Sequence, residues 1–212
     1  MMTAGYFQER AAGGKKRQRT RAALLDAAVA VVAEKGMEGA KISEMTTIAG
    51  LANGTFYNHF DSKEEILKAA AIDIALEVGR QLDAEMTEIS DGPLRVATAT
   101  SRFVSIALAH PDWTAVLLES QDYLPDASLD VFRFLRRDLE IGREQGVFHI
   151  AADQFTLEQI SALIAAAIHA QLVRGPDKSL TQRLCENILR MSGVPMDAAR
   201  RIAREGVIRT LF

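Results

Sequence analysis

Apolar residues recur three and four apart along nearly the whole chain, and no stretch sustains the strict alternation of a half-buried strand. The pattern predicts an all-α protein. Leu24, Leu25, Ala28, Val31 and Val32 form one stripe of a helix over about 17–35, and Gly36 is placed to end it. A short helix over 43–49 follows, with Met45, Ile48 and Ala49 on one face. Gly50-Leu51-Ala52 interrupts it, and 53–59 resumes the period. Ser62-Lys63-Glu64-Glu65 has the form of a capping box and opens a long helix to about residue 85. Ser90-Asp91-Gly92-Pro93 is the clearest punctuation and a predicted domain boundary. Further helices are predicted over about 93–109, 112–120, 126–145, 156–173 and 179–191, with a last one after Pro195. Tyr123-Leu124-Pro125-Asp126 reads as a loop. Gly142 inside its helix costs about 1 kcal/mol of propensity and predicts a loose end there.

The stretch Ile42–Phe60 holds the informative spacing. Two short helices joined by a turn containing Gly match the helix-turn-helix, in which the second helix enters the DNA major groove. Met45, Ile48 and Ala49 are expected to pack on Leu51, Phe56 and Phe60. Thr55, Tyr57, Asn58 and His59 are then left outside, as residue types suited to base edges and phosphates. A plain helical hairpin with a solvated polar face has the same spacing.

Charge sharpens the picture. The net charge of −3 over 212 residues hides a split. Residues 1–63 carry nine Lys/Arg against six Asp/Glu, and residues 64–212 carry sixteen against twenty-two. Arg10, Lys15, Lys16, Arg17, Arg19 and Arg21 follow one another with no acid between them. A basic run on an acidic protein points to a local polyanion contact or to a solubilising tail. The expected division is a flexible arm over 1–14, a DNA-binding head over 15–62 and a helical body over 63–212.

Composition removes other classes. Unbroken apolar runs reach seven residues, where a membrane span needs about 20, so no membrane is expected and the cytoplasm is the expected location. The lone Cys185 excludes an intramolecular disulfide and reads as a small apolar residue. His59, His110, His149 and His169 fall on separate elements, and no Gly-rich phosphate loop occurs, so neither catalysis, metal nor cofactor is expected.

The stretch Thr20–Leu67 resembles the tetracycline-repressor-like (TetR/AcrR) regulators. The resemblance lies in Leu25-Asp26-Ala27-Ala28, Lys35-Gly36, Ile48-Ala49-Gly50, Gly54-Thr55-Phe56-Tyr57, His59-Phe60 and Ser62-Lys63-Glu64, about a quarter of the chain. The other helices match that family in number and order, in the helix end at Gly146 and in Gly193-Val194-Pro195. The resemblance implies a homodimeric, ligand-responsive repressor on a palindromic double-stranded operator. It places Thr55, Tyr57 and His59 on recognition positions, Lys63 on a backbone contact and Ser43 on a phosphate or base. Lys16, Arg17, Arg19, Lys41, Asn53, Gly54 and Asn58 complete the expected DNA-binding set. The sequence departs from the family where Asn53 replaces a common Lys, Ala52 a capping Ser, and Lys41 a Thr or Ser that opens a helix.

The resemblance also implies a small-molecule effector and a dimer interface in the body. Ile160, Ile164, Ile168 and Leu172 on one helix and Leu184 and Ile188 on the next are the expected interface, unless both stripes face their own core. Arg102, Phe103, His110, Trp113, Tyr123 and Phe132 are the expected ligand set, though such rings also serve as core. A constitutive architectural DNA-binding protein without effector and an all-α enzyme are the alternative readings.

Overall fold

The computed structural model describes residues 5–120 and 132–210, and every regular element among them is a helix. In chain order these are α1 Tyr6–Arg10, α2 Lys16–Gly39, α3 Ile42–Ile48, α4 Asn53–Phe56, α5 Lys63–Glu85 and α6 Gly92–Ala109. Then come α7 Pro111–Glu119, α8 Arg133–Glu144, α9 Gln154–Arg174, α10 Lys178–Met191 and α11 Met196–Arg209. Tyr123 and the loop expected around it lie outside the described residues, as does the start of the helix expected from 126.

The chain forms two compact units. One takes in the chain up to Ala75 together with α7; the other takes Leu76–Ala109 and the helices from α8 onwards. The division falls inside α5, not at residue 62. Ser90-Asp91-Gly92-Pro93 is a turn within the second unit, where Asp91 accepts from the Leu94 N–H at 2.8 Å and Gly92 donates to Gln145 at 2.9 Å.

In the first unit, Leu24, Leu25 and Ala28 of α2 are buried, as are Met45, Phe56, Phe60, Ile66 and Leu67 after it, each at most 2% exposed. Burying side chains of this size contributes roughly 1.5–3 kcal/mol each. α2 is broken at Gly36, which has φ 69°, as the sequence predicts. α5 starts on a cap: Ser62 Oγ accepts from the Glu65 N–H at 3.2 Å, and the Glu65 carboxylate reaches back to the Asp61 N–H. α7 packs along α2, with the Glu119 carboxylate accepting from the Met37 N–H at 3.4 Å.

The stretch expected as a flexible arm carries a helix instead. α1 buries Tyr6 and Phe7, and the Asp26 carboxylate of α2 accepts from the Phe7 and Gln8 N–H groups, both at 3.0 Å. A carboxylate at a helix N-terminus satisfies donors that the helix itself leaves open. The Tyr6 ring meets Trp113 of α7 at 4.8 Å between centroids, and the Arg10 guanidinium stacks on Tyr6 and donates to its hydroxyl.

In the second unit α6 is the central helix, packed by α8, α9, α10 and α11 around Val96, Ala97, Val104, Leu139, Leu157, Ile160 and Ile188. Arg95 is buried there and fully engaged. It pairs with Asp138 at 2.7 Å and Asp83 at 3.2 Å, and donates to the carbonyls of Met86 and Ile89 in the turn that follows α5. Burial outweighs the pull of Arg95 and raises the Asp138 carboxyl above its ordinary range. Gly142 is buried and not loose: a Cβ there would run into the Phe148 ring, and Gly92 approaches its backbone so closely that neither position has room for a side chain. Cys185 is buried with its thiol on the Ala97 carbonyl at 3.4 Å, and desolvation pushes its pKa up to about 12, so it is inert.

Candidate nucleic-acid interface

α3 and α4 form the two arms of the helix-turn-helix. Gly50 turns the chain between them with φ 67°, a left-handed conformation that glycine adopts without strain. Phe56 and Phe60 anchor the second arm in the core at 0% and 2% exposure, while Tyr57 beside them is 59% exposed. Asn53, Gly54 and Asn58 are exposed, and Thr55 and His59 half-buried. The four helical residues of α4 therefore present one polar and aromatic face while their neighbours lock the other. Ile48 does not join the core; it is 57% exposed at the end of α3, because Met45 and Thr46 take the inward positions.

The expected basic residues differ in what they touch. Lys16, Arg17 and Arg19 are exposed on the first turns of α2, and Lys41 and Ser43 are exposed at the start of α3. Arg21, one turn after Arg17, lies over the Phe60 ring at 5.1 Å and near Asp73 at 3.8 Å. Sequence reasoning left Arg21 out of the site, although its spacing from Arg17 gives both the same helix face. Burial, then the fields of Arg17 and Arg21, hold the His59 pKa below the usual imidazole value. Its neutral ring offers one donor and one acceptor. Lys63 is committed within the protein: its ammonium donates to the Met37 carbonyl at 2.9 Å and the Glu38 carbonyl at 3.4 Å, where α2 ends. Asn53 does not cap α4, whose first residue it is; its side chain is bound to the buried Thr46 hydroxyl.

The residues expected to bind a ligand are distributed over both units. His110 and Trp113 sit in the first unit, with ring centroids 5.5 Å apart, and Trp113 is taken up by Tyr6. Arg102, Phe103 and Phe132 belong to the second unit, where Arg102 pairs with Glu85 at 2.9 Å and both rings pack on the core. The expected interface residues also divide. Ile160, Ile168, Leu184 and Ile188 are at most 5% exposed inside their own unit and so cannot form a face to a partner. Ile164 packs against the same core, and Leu172 is exposed. The exposed apolar residues of α9 are instead Phe155, Leu163, Leu172 and Val173, interleaved with exposed Ala162 and Ala166. α9 is thus apolar on two faces, which gives it the length and hydropathy of a membrane span by composition alone.

A family model described as bacterial regulatory proteins, tetR family, matches residues 24–70. A second, the Tetracyclin repressor-like C-terminal domain, matches residues 93–205, more than half of the chain. The chain belongs to the TetR family. Within it, the uncharacterised HTH-type transcriptional regulator YvdT of Bacillus subtilis (strain 168) is 46% identical over 48 residues, 23% of this chain and 25% of that protein. The HTH-type transcriptional repressor KstR2 of Rhodococcus jostii (strain RHA1) is 39% identical over 54 residues, 26% of each. The alignments span from a quarter to less than half of the curated relatives. Among solved structures, RolR in complex with resorcinol superposes with a TM-score of 0.69 at 32% identity, covering 89% of this chain and 94% of that one. FadR from Bacillus subtilis in complex with stearoyl-CoA shares the fold, with a TM-score of 0.64 at 20% identity over 80% and 96% of the two chains.

Proposed function

We propose that this chain is a ligand-responsive repressor that binds a palindromic double-stranded operator as a homodimer. The observation that carries the reading is the outward face of Asn53, Tyr57, Asn58 and His59, held on a head whose Phe56 and Phe60 are fully buried, with Arg17 and Arg21 beside His59 and Phe60. Thr55 and Gly54 line the same short helix, and in this reading the exposed Lys16, Lys41 and Ser43 meet phosphates. Lys63 acts differently in this reading, closing the end of α2.

The dimer forms through the exposed face of α9, Phe155, Leu163 and Val173 with the small Ala162 and Ala166 between them, where two helices approach closely. The second unit takes the effector. A small aromatic such as the resorcinol bound by RolR is the first class to screen, and an acyl-CoA such as the stearoyl-CoA bound by FadR the second. The effector acts by favouring one of two arrangements, carried by α5, a single helix with turns in each unit. No catalytic role is assigned.

Selection of duplexes from a random library, repeated with resorcinol and with stearoyl-CoA, tests this. The expected result is a two-fold symmetric site with half-site centres about one helical turn, or a multiple, apart, released by one of the two compound classes. Salt-sensitive binding without sequence preference or effector response would instead make the chain an architectural DNA-binding protein, and absence of duplex binding would end the regulator reading.

A further inference from the structure

The buried hydroxyl of Thr46 on α3 and the exposed side chain of Asn53 on α4 are hydrogen-bonded across the turn of the helix-turn-helix. Thr46 is 1% exposed, so this hydroxyl has no water to turn to. Which way the Asn53 amide faces follows from where the single Thr46 proton goes. Two acceptors lie within reach: the Ser43 carbonyl at 3.0 Å and the Asn53 Oδ1. The Ser43 carbonyl is already supplied. It takes the Thr47 N–H in the α3 ladder, and the Thr47 hydroxyl donates to it at 2.7 Å. A carbonyl oxygen has two lone pairs, and both are occupied. The Thr46 proton therefore goes to Asn53 Oδ1, and the Asn53 amide is held with its oxygen inward and both N–H groups outward.

We propose that Thr46 is a positioning residue that makes Asn53 a two-donor reader, selecting guanine at one base pair of each operator half-site. This rests on the DNA-binding reading above. Guanine presents two major-groove acceptors, N7 and O6, to a pair of donors, whereas adenine presents N7 and a donor at N6. A freely rotating Asn satisfies adenine with one oxygen and one N–H; with its oxygen turned inward onto Thr46, Asn53 offers the groove donors and not that acceptor. The position suits base reading, because Asn53 is the first residue of α4 and recognition-helix N-terminal residues reach base edges. Thr46 touches no DNA. It acts through the orientation of its neighbour, and the Lys common at this position in the family would give a mobile point charge instead of an oriented pair of donors.

The test compares base preference at every operator position for the full-length protein, Thr46→Val, Thr46→Ser and Asn53→Ala, together with salt dependence and melting temperature. Asn53→Ala, at an exposed position, should keep the fold and lose a guanine preference of about fivefold or more at one base pair per half-site. Thr46→Val should relax preference at that same pair, admitting adenine, with the salt slope unchanged; Thr46→Ser, which keeps the hydroxyl, should restore guanine. Loss of about one unit of salt slope in Asn53→Ala without a change in base preference would mean a phosphate contact, and overturns the proposal. A Thr46→Val protein that melts normally and selects the same bases also overturns it, while leaving the regulator reading intact. If the unmodified protein selects no sequence at all, both readings fall together.

Discussion

Tyr6, near the N-terminus, stands edge-on to Trp113 of α7, with ring centroids 4.8 Å apart at an interplanar angle of 64°. Each ring is 7% exposed, so the pair is a piece of core and not a surface decoration. Truncating a buried aromatic typically costs about 3–5 kcal/mol. Tyr6→Ala should therefore lower the denaturant midpoint of the protein clearly, and deletion of residues 1–11 should do so at least as much. An arm that only solubilised the chain would leave the midpoint unmoved in both variants.

The recognition face separates folding from binding. Tyr57→Phe and His59→Ala should change stability by about 0.5 kcal/mol or less, as surface substitutions do. Each should weaken the operator complex by about 1–3 kcal/mol. Phe56→Ala and Phe60→Ala should lose about 3–5 kcal/mol of stability through the cavity left in the core. Melting curves and titrations on one operator duplex check all four.

His59 gives the head a dependence on pH. Its folded pKa lies below the reference value of 6.5 because of burial and the nearby Arg17 and Arg21. Below that reference the unfolded chain takes up a proton that the folded head resists. Stability therefore falls as pH drops from about 6.5 through the lower folded value, and this contribution is constant above 6.5. DNA phosphates oppose the field of the two arginines, so the complex favours the protonated ring and operator affinity should rise over the same window. His59→Gln should flatten both profiles, measured as melting temperature and affinity at about pH 5.5 and about pH 7.5.

The two faces of α9 predict opposite outcomes for the same chemical change. Leu163→Glu, at a 37% exposed position, should leave a folded protein that sediments as a monomer and binds its operator weakly. Ile160→Glu puts an unpaired charge at a 0% exposed position and should unfold the second unit. A folded Leu163→Glu dimer would move the interface elsewhere.

Asp138→Asn removes one partner of a buried ion pair while Arg95 stays behind. Breaking such a pair costs about 3–5 kcal/mol. The loss should be read as a lower denaturant midpoint, whereas Arg137→Ala, at an exposed residue pairing with Asp83 at 3.1 Å, should move it by less than about 1 kcal/mol.

What the sequence made legible was local. Gly36, the Ser62–Glu65 cap and the Met45, Phe56 and Phe60 spacing are decided by neighbours within one or two turns, and helix ends and the helix-turn-helix could be read from them. Ile48 was misplaced because α3 is only seven residues long, too short for a three-residue spacing to say which side faces in. The interface stripe was misread for a related reason: a helix apolar on two faces does not announce which one its own unit has taken. α1 left almost no trace, since Tyr6 and Phe7 are two apolar residues whose partners, Asp26 and Trp113, are remote in sequence. The Thr46–Asn53 bond escaped notice because a buried threonine reads as core until its hydroxyl is seen.

The placement of α7 in the first unit has a consequence for biosynthesis. As the chain leaves the ribosome, α1 to α5 emerge with the side of α2 that α7 covers still bare, and Tyr6 without its ring partner. That surface stays open while the whole of α6 is being made, and it closes only when Glu119 is clear of the exit tunnel. At about 5–20 residues per second the exposed interval lasts seconds, and a nascent chain stalled before α7 keeps that side of α2 in water for as long as the stall lasts.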